Sequence, residues 1–162
     1  MGLRDAALRW VARKLPVFRV AAPDGAPYLD RHYILGDRGA LVDFPGAKAR
    51  LGGLPFALYL HKFHSADWHP TALHDHPADA LAIGLVGGYV EHRRTRTPAV
   101  RAAGSVCWHR AEDFHRVAKL LGSPTWTLFA VGRKRREWSF YDPRDGRTYP
   151  WLEFLLRCEH ES

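Results

Sequence analysis

Two hydrophobic periodicities follow each other along the chain, a helical one at the start and a strand-like one over the rest. Residues 3–14 repeat apolar positions at helical spacing, which predicts a short amphipathic helix that packs on the body of the protein. The apolar face of this helix carries Leu3, Trp10 and Val11. We expect the helix to end before Pro16, because a proline disfavours helical geometry in the residue that precedes it.

From residue 17 onwards, apolar and polar residues alternate over short segments separated by Gly and Pro, which predicts a series of β-strands. The predicted strands are 17–20, 28–35, 56–63, 80–86, 89–94, 100–108, 126–131 and 138–141, followed by a hairpin turn at 143–146 and a strand at 147–152. A further turn is predicted at 36–39, and 152–156 is interpreted as a last short helix or a tail. Many short strands at regular spacing are typical of an all-β sandwich or barrel.

Composition supports one globular domain over residues 1–162. The chain is 46% hydrophobic and 25% charged, which are ordinary values for a globular protein. Two cysteines, Cys107 and Cys158, are too few for a disulfide framework, and their spacing fits no zinc motif. We expect a cytoplasmic protein without a signal peptide or a membrane span, because the first fifteen residues are interrupted by charges and no long apolar run occurs.

The chain is strongly basic, with a formal net charge of +7 and a pI of about 9.8. Such a charge can attract nucleic acid or phosphorylated metabolites. Because the charges are spread along the whole chain, we interpret them as a compositional bias and expect no specific nucleic-acid partner.

The segment His74-Asp75-His76 carries the strongest functional signal. Alternate side chains of an extended strand point to the same face, so His74 and His76 share one face and Asp75 points away. A third imidazole from a distant strand would complete a metal pocket, and His115 is the candidate. Neutral imidazole nitrogens suit iron, zinc, copper or nickel. Scattered histidines satisfied by hydrogen bonds are the alternative.

These motifs resemble the cupin superfamily of small double-stranded β-helix barrels. The first motif of the family consists of a His-x-His, a glutamate and a glycine. The two ends of this motif are matched here, by His74–His76 and by Gly87 or Gly88. In its second motif a glycine precedes a histidine, which matches Gly104 to His115, with Ala111 in place of a proline. The match covers about residues 56–132. The chain is most similar to small cupin-like metalloproteins of bacteria and their phages, and shares some features with thiol dioxygenases.

The sequence departs from the family at the expected glutamate, because alanine and leucine occupy positions 80 and 81. Three interpretations stay open: a three-histidine site like that of thiol dioxygenases, a site completed by Asp79 through a β-bulge, or one reached by Glu91. The candidate metal ligands are therefore His74, His76, His115 and Asp79.

Other candidate residues flank these motifs. His61 and Glu91 are candidate catalytic groups, and Tyr59 and Trp126 are candidate substrate-binding residues. Each also has a structural interpretation, as a wall residue, a buried ion pair or a core aromatic. His109 is expected to be an ordinary histidine at the end of a strand.

The resemblance implies an all-β cupin jelly-roll barrel with an N-terminal helix, and a metal-dependent enzyme acting on a small molecule. A dioxygenase-type oxidoreductase that uses non-haem Fe(II) is the leading interpretation, with Zn, Ni, Mn or Cu as alternative metals. The alternatives are a cupin isomerase, epimerase or lyase that uses His61 as a base, and a non-catalytic protein that binds a small ligand. We expect a small-molecule substrate, no membrane partner and an assembly compatible with a homodimer.

Overall fold

The computed structural model describes residues 2–36, 56–122 and 124–160. Two helices, α1 (Leu3–Ala12) and α2 (Trp151–His160), flank twelve strands. The strands are β1 (Val17–Ala21), β2 (Pro27–Leu35), β3 (Phe56–Phe63), β4 (Leu73–His74), β5 (Ala80–Val86), β6 (Gly88–Arg93), β7 (Arg96–Ala102), β8 (Val106–His109), β9 (His115–Leu120), β10 (Thr125–Gly132), β11 (Ser139–Asp142) and β12 (Arg147–Pro150). Of the turn predicted at 36–39, residues 37–39 lie outside the described residues.

The strands form two antiparallel sheets of six strands each. The first sheet has the order β1-β2-β3-β10-β5-β8 and the second has the order β12-β11-β4-β9-β6-β7. Their inner faces pack on each other, since Leu29 and Phe63 of the first sheet form one buried cluster with Tyr89 and Val117 of the second. The predicted all-β jelly-roll fold is thereby confirmed.

The segment predicted as one strand over 100–108 is two strands in different sheets. β7 ends at Ala102 in the second sheet, and β8 begins at Val106 in the first. Gly104 makes the change of direction, with φ of 86°, a value that glycine adopts without steric cost. The sequence does not reveal this break, because the alternation of apolar residues over 100–108 continues through the turn.

Helix α1 packs on the outer face of the first sheet, but not through the predicted apolar face. Its buried side chains are Asp5 and Ala12, whereas Leu3 is 91% exposed and Trp10 is 58% exposed. Asp5 accepts a hydrogen bond of 2.9 Å from the buried indole N–H of Trp126. An unpaired buried indole N–H would be costly, and this pairing turns inward a face that carries Asp5 together with Leu8 and Ala12.

Helix α2 covers the far end of the second sheet. The side chain of Phe154 is fully buried and stacks on Phe140 of β11, with ring centroids 4.5 Å apart. Among the described residues, neither α1 nor α2 is long and apolar enough to cross a membrane.

Gly84 allows the two sheets to approach each other where β5 passes β7. A Cβ atom at this position would lie 2.3 Å from the carbonyl oxygen of Ala102, closer than any tolerated contact. We therefore expect Gly84→Ala to destabilise the fold by about 2 kcal/mol, a common cost of overpacking, as measured by urea unfolding. Gly122→Ala is the matched control, because its Cβ would enter open space. Equal unfolding midpoints for the two variants would contradict this prediction.

Candidate metal centre

The three histidines of the motifs come together between the two sheets. His74 ends β4 and pairs in register with His115, the first residue of β9. His76 follows two residues after His74, and its backbone N–H donates to the carbonyl oxygen of Ala111 at 3.1 Å. Strand β4 and the two residues that follow it therefore place the imidazoles of His74 and His76 next to that of His115.

The ring nitrogens of this group converge on one point. One nitrogen from each of His74, His76 and His115 lies within 4.8 Å of the others. The Nε2 atoms of His76 and His115 are 2.8 Å apart. We call these three residues the histidine triad.

Asp67 orients the first ring of the triad. Its carboxylate lies 3.2 Å from Nδ1 of His74. The same carboxylate accepts the hydroxyl of Tyr28 at 2.5 Å and the backbone N–H of Val117 at 3.1 Å. These contacts fix the position of the carboxylate, which in turn fixes the tautomer and the orientation of the imidazole.

Glu91 orients the ring of His115 in the same way. It is fully buried on β6, and its Oε1 atom lies 2.9 Å from Nδ1 of His115. The Nε of Arg93 and the guanidinium of Arg101 donate to its other oxygen, at 3.1 Å and 2.7 Å. Since Nδ1 and Nε2 lie on opposite sides of the ring, Glu91 contacts His115 from behind and positions it.

Burial and charge act differently on the three imidazoles. Burial, reinforced by neighbouring positive charges, holds the pKa of His76 well below its usual value. Burial also lowers the pKa of His115, although the Glu91 carboxylate opposes this. For His74 burial disfavours the charged form, but the Asp67 carboxylate outweighs it and raises the pKa. Two of the three rings are thus held as neutral nitrogen donors.

A second group that could hold a metal shares His115 with the triad and adds Glu91 and His109. Burial lowers the pKa of His109 to about 2, so this ring is neutral. The Glu91 carboxylate, however, is already neutralised by Arg93 and Arg101. Two guanidinium groups beside a bound cation would repel it, so the triad is the better metal site.

The donor set of the triad fits a divalent transition metal. Three imidazole nitrogens face one point, and two of them carry a carboxylate partner on the opposite ring nitrogen. Such carboxylate–histidine pairs accompany most metal-binding histidines. The Nε2 atoms of His76 and His115 can form a hydrogen bond only if one of them carries a proton. A bound metal ion would instead accept the lone pairs of both nitrogen atoms.

Asp79 lies outside the triad in this structure. Its Oδ1 atom accepts the backbone N–H of Ala111 at 2.9 Å and forms an ion pair of 2.6 Å with Arg135. No described carboxylate replaces the family's glutamate at the open side of the triad. The arrangement corresponds to the three-histidine alternative, with Asp79 fastening the loop before β5.

Asp75 points away from the two histidines that flank it, as strand alternation predicts. Its carboxylate accepts the backbone N–H and the hydroxyl of Ser139 and pairs with Arg136 at 2.9 Å. These bonds fasten β4 to β11, and so they hold His74 and His76 in place.

An interior wall of the first sheet lies beside the triad, formed by Arg31, Tyr59, His61 and Phe129. The ring of Phe129 stacks on His61 at 4.9 Å and lies 5.7 Å from the ring of His76. The Nε of Arg31 donates to Nε2 of His61 at 3.2 Å. Burial, and then the charge of Arg31, holds the pKa of His61 well below its usual value.

Within the residues that the structure describes, one buried hydroxyl of this interior wall lacks a hydrogen-bond partner, and one half-buried cation lacks a counter-ion. The hydroxyl of Tyr59, which is 0% exposed, has no hydrogen-bond partner in the described part of the chain. The guanidinium of Arg31, 5.3 Å from the ring of Tyr59, has no carboxylate partner among the described residues. A buried hydroxyl without a partner is costly, and the half-buried guanidinium of Arg31 has only His61 as a hydrogen-bond partner among the described residues, so the interior wall is suited to an added polar group.

The structure does not bring Trp126 to the triad, which corrects the substrate-binding prediction for this residue. Its indole lies on the outer face of the first sheet, among Ala12 and Leu60, and bonds to Asp5. Strand alternation is the reason, because Trp126 pairs with the outward residue Lys62 whereas its neighbour Thr127 pairs with the inward residue His61.

Sequence reasoning missed Arg31, Asp67 and the burial of His109. Arg31 stands between Leu29 and Tyr33 on the buried face of β2, and an arginine on an apolar face was a usable signal. His109 alternates with the buried Cys107 on β8, which gives the same kind of signal. Asp67 lies in a loop without periodicity, so its contact with His74 could not be anticipated.

No protein-family model matches the chain, and no curated protein matches its sequence. The likeness to known proteins is therefore one of structure.

The chain adopts the fold of the cupins, which confirms the resemblance at the level of fold. It is similar to the DMSP lyase DddQ from Ruegeria pomeroyi DSS-3, with 13% identity, a TM-score of 0.54 and coverage of 87% of this chain and 63% of that one. It is also similar to the Fe(II) form of HppE with the alternative substrate (S)-1-HPP, with 11% identity, a TM-score of 0.51 and coverage of 75% and 57%. An RmlC-like cupin protein from Ralstonia eutropha JMP134 shares 17% identity, with a TM-score of 0.50 and coverage of 90% and 80%.

The chain thus spans less than two thirds of the length of the DddQ and HppE chains that it resembles.

Proposed function

We propose that this protein is a metal-dependent enzyme that acts on a small molecule, of the oxidoreductase type that uses non-haem Fe(II). The observation that carries the proposal is the convergence of three imidazoles backed by two buried or half-buried carboxylates. The likeness in fold to an Fe(II) enzyme, HppE, supports iron over the alternatives. When bound, Fe(II) supplies open coordination positions for a substrate and for O₂, and so permits oxygen insertion.

The residues around the triad orient its histidine rings and exclude water from the site. Asp67 and Glu91 hold the rings of His74 and His115 in one tautomer and one orientation. The aromatic rings of Phe129 and Tyr59 exclude water from the interior wall. Glu91 acts as a positioning residue, because it contacts His115 and not the open side of the triad.

Arg31 indicates that the substrate carries a negative charge. Its guanidinium hydrogen-bonds to a neutral imidazole, and it has no carboxylate partner among the described residues. Guanidinium groups bind carboxylates, phosphonates and phosphates through paired N–H donors. An anionic group on Arg31 would place the rest of a small molecule beside His76, across the ring of Phe129.

Oxygen consumption tests this proposal directly. Protein reconstituted with Fe(II) without oxygen is mixed with small carboxylic acids, thiol acids and phosphonates, and O₂ uptake is followed after aeration. For any substrate found, we expect Arg31→Gln to raise KM about tenfold with a smaller change in kcat, since it removes one charge-assisted contact. Arg4→Gln, an exposed change on α1, is the matched control and should leave KM unchanged.

A lyase or isomerase is the second candidate, and the buried neutral imidazole of His61 favours it. The acceptor nitrogen of His61, Nε2, is held by Arg31, so this ring can accept a proton as a general base once the Arg31 guanidinium turns to an anionic substrate. The likeness in fold to the DMSP lyase DddQ agrees with such chemistry. Turnover under anaerobic conditions, abolished by His61→Ala, would support this candidate and contradict the oxygenase. Metal-loaded protein that turns over none of these compounds under either condition would contradict both enzymes and favour a ligand-binding protein.

A further inference from the structure

A polar cavity separate from the histidine triad lies on the outside of the barrel, where the free edges of the two sheets meet. It is a cleft of about 500 Å³ between β7 and β8, lined by Arg93, Arg96, Arg101, Arg110, Trp108 and Asp113 among others. We call it the arginine cleft. It opens on the opposite side of Glu91 from the triad, and the function proposed above does not use it.

The floor of the arginine cleft is rigid. The side chain of Arg93 is only 7% exposed, and its guanidinium bonds to Glu91, to Sγ of Cys107 at 2.8 Å and to the carbonyl oxygen of Trp108 at 3.4 Å. Arg101 is held by the same Glu91 carboxylate at 2.7 Å. Two positive groups are therefore fixed in place around one negative group before any ligand arrives.

The rim of the arginine cleft carries charge without partners. The side chains of Arg96 and Arg110 are exposed and make no hydrogen bond or ion pair with any residue that the structure describes. Asp113 faces Arg93 at 3.6 Å. Four arginines against the two carboxylates Glu91 and Asp113 leave a local charge of +2, which matches one phosphate dianion.

Trp108 adds a flat aromatic surface to this charge. It lines the cleft and is 56% exposed, although it is the kind of large ring that a protein normally buries. Exposed aromatic rings beside arginines are the elements with which proteins stack the bases of nucleotides. The exposed indole therefore favours an anion that also carries a planar ring.

We propose that the arginine cleft binds a small phosphate-bearing molecule with a planar ring, of the nucleoside monophosphate class, with its phosphate on Arg96 and Arg110 and its ring on Trp108. Guanidinium groups suit phosphate because two parallel N–H donors meet two phosphate oxygens. A nucleic-acid polymer is disfavoured, because affinity for a polymer requires many phosphate contacts along an extended surface. The cleft instead offers two exposed cations, Arg96 and Arg110, around one small open volume.

Calorimetric titration of the full-length protein with AMP, inorganic phosphate and adenosine tests the proposal. We expect AMP to bind, and adenosine, which lacks the phosphate, to bind at least about tenfold more weakly. Arg96→Gln and Arg110→Gln should each weaken AMP about tenfold, since each removes one charge-assisted contact. Trp108→Leu should weaken AMP but leave the affinity for inorganic phosphate unchanged.

Arg4→Gln is the matched control, because it removes one positive charge from an exposed position on α1 outside the cleft. It should bind AMP like the wild type. All four positions are exposed, and thermal unfolding verifies that each variant is folded. The titration needs no metal, so its outcome is independent of the function proposed above.

Three results would overturn the proposal. The first is no binding of AMP or phosphate by the wild type at millimolar concentration. The second is equal AMP affinity in the wild type, Arg96→Gln and Arg110→Gln. The third is binding of long RNA alone, steeply salt-dependent and weakened as much by Arg4→Gln as by the cleft variants, which would show a diffuse polyelectrolyte surface.

Discussion

Replacing His76 by alanine should abolish both metal binding and the thermal stabilisation that the metal confers. A ligand that binds only the folded state at a hundred times its Kd adds about 2.7 kcal/mol to the free energy of unfolding. In a chain of this length, that corresponds to about 5–10 °C in Tm. We therefore expect a chelator to lower the Tm of the metal-loaded wild type by this amount and to leave the Tm of His76→Ala unchanged. Metal analysis of both proteins, purified without chelator, provides a second measurement.

Further histidine variants assign the metal to one of the two donor groups. His115→Ala should also lose the response to chelator, because both groups contain His115. His109→Ala should keep the response if the triad holds the metal. A response that survives in His76→Ala but not in His109→Ala would assign the metal to the second group.

Two control variants separate a specific site from adventitious metal. His160 is exposed at the end of α2, so His160→Ala should respond to chelator like the wild type. Asp79→Asn should do the same, since the Asp79 carboxylate is bound to Ala111 and Arg135. Metal lost from Asp79→Asn alone would restore the carboxylate-ligand alternative, and equal metal content in all variants would show adventitious binding.

The parts of this site that alternation governs were predictable from the sequence. The separation of His74 from Asp75 follows from the two-residue period of a strand, and the structure shows His74 facing His115 while Asp75 bonds to Ser139. The same rule was sufficient to place Trp126 outside and Arg31 inside, once the register of β10 and β2 against β3 is known. That register depends on contacts distant in sequence, which a local pattern does not contain.

The parts that depend on turns and loops were not predictable. The break at Gly104 moves the chain from one sheet to the other just after Ala102, where the backbone passes close to Gly84, a residue distant in the sequence. Asp67 reaches His74 from a loop through bonds to Tyr28 and Val117. None of these partners is near Asp67 in the sequence, so its role appears only in three dimensions.

Glu91→Gln should be the most destabilising of the conservative changes considered for this protein. Glu91 is fully buried and is the shared acceptor for His115, Arg93 and Arg101. Glutamine keeps the shape of the side chain but removes its charge, which leaves two half-buried or buried guanidinium groups around a neutral amide. Breaking a buried ion pair from one side costs about 3–5 kcal/mol, and we expect a loss of this size in urea unfolding.

Glu137→Gln is the matched control for this prediction. Glu137 forms an ion pair of 2.7 Å with Lys134, but its side chain is 67% exposed. The same chemical change at this exposed pair should alter the free energy of unfolding by less than about 1 kcal/mol. A similar loss in both variants would show that burial of the Glu91 network does not determine its contribution.

The pH dependence of the free energy of unfolding, measured for the wild type and for Glu91→Gln, tests whether the lost charge causes the destabilisation. Burial opposes ionisation of Glu91, but the hydrogen bonds from His115 and Arg93 outweigh it, so the pKa of Glu91 is lowered on folding. A carboxyl with a lowered pKa contributes its stability above the pKa of the unfolded chain, about 4.3 for glutamate, and loses it as the pH falls further. Glu91→Gln also removes the charge that raises the pKa of His115, so the variant loses additional stability as the pH falls below about 6.5. The difference in stability between the wild type and Glu91→Gln should therefore grow or hold from neutral pH down to about 5, and shrink below about 4.3 as Glu91 itself loses its charge-dependent contribution. A difference that persists unchanged at lower pH would mean that the shape of the glutamine amide, and not the lost charge, destabilises the variant.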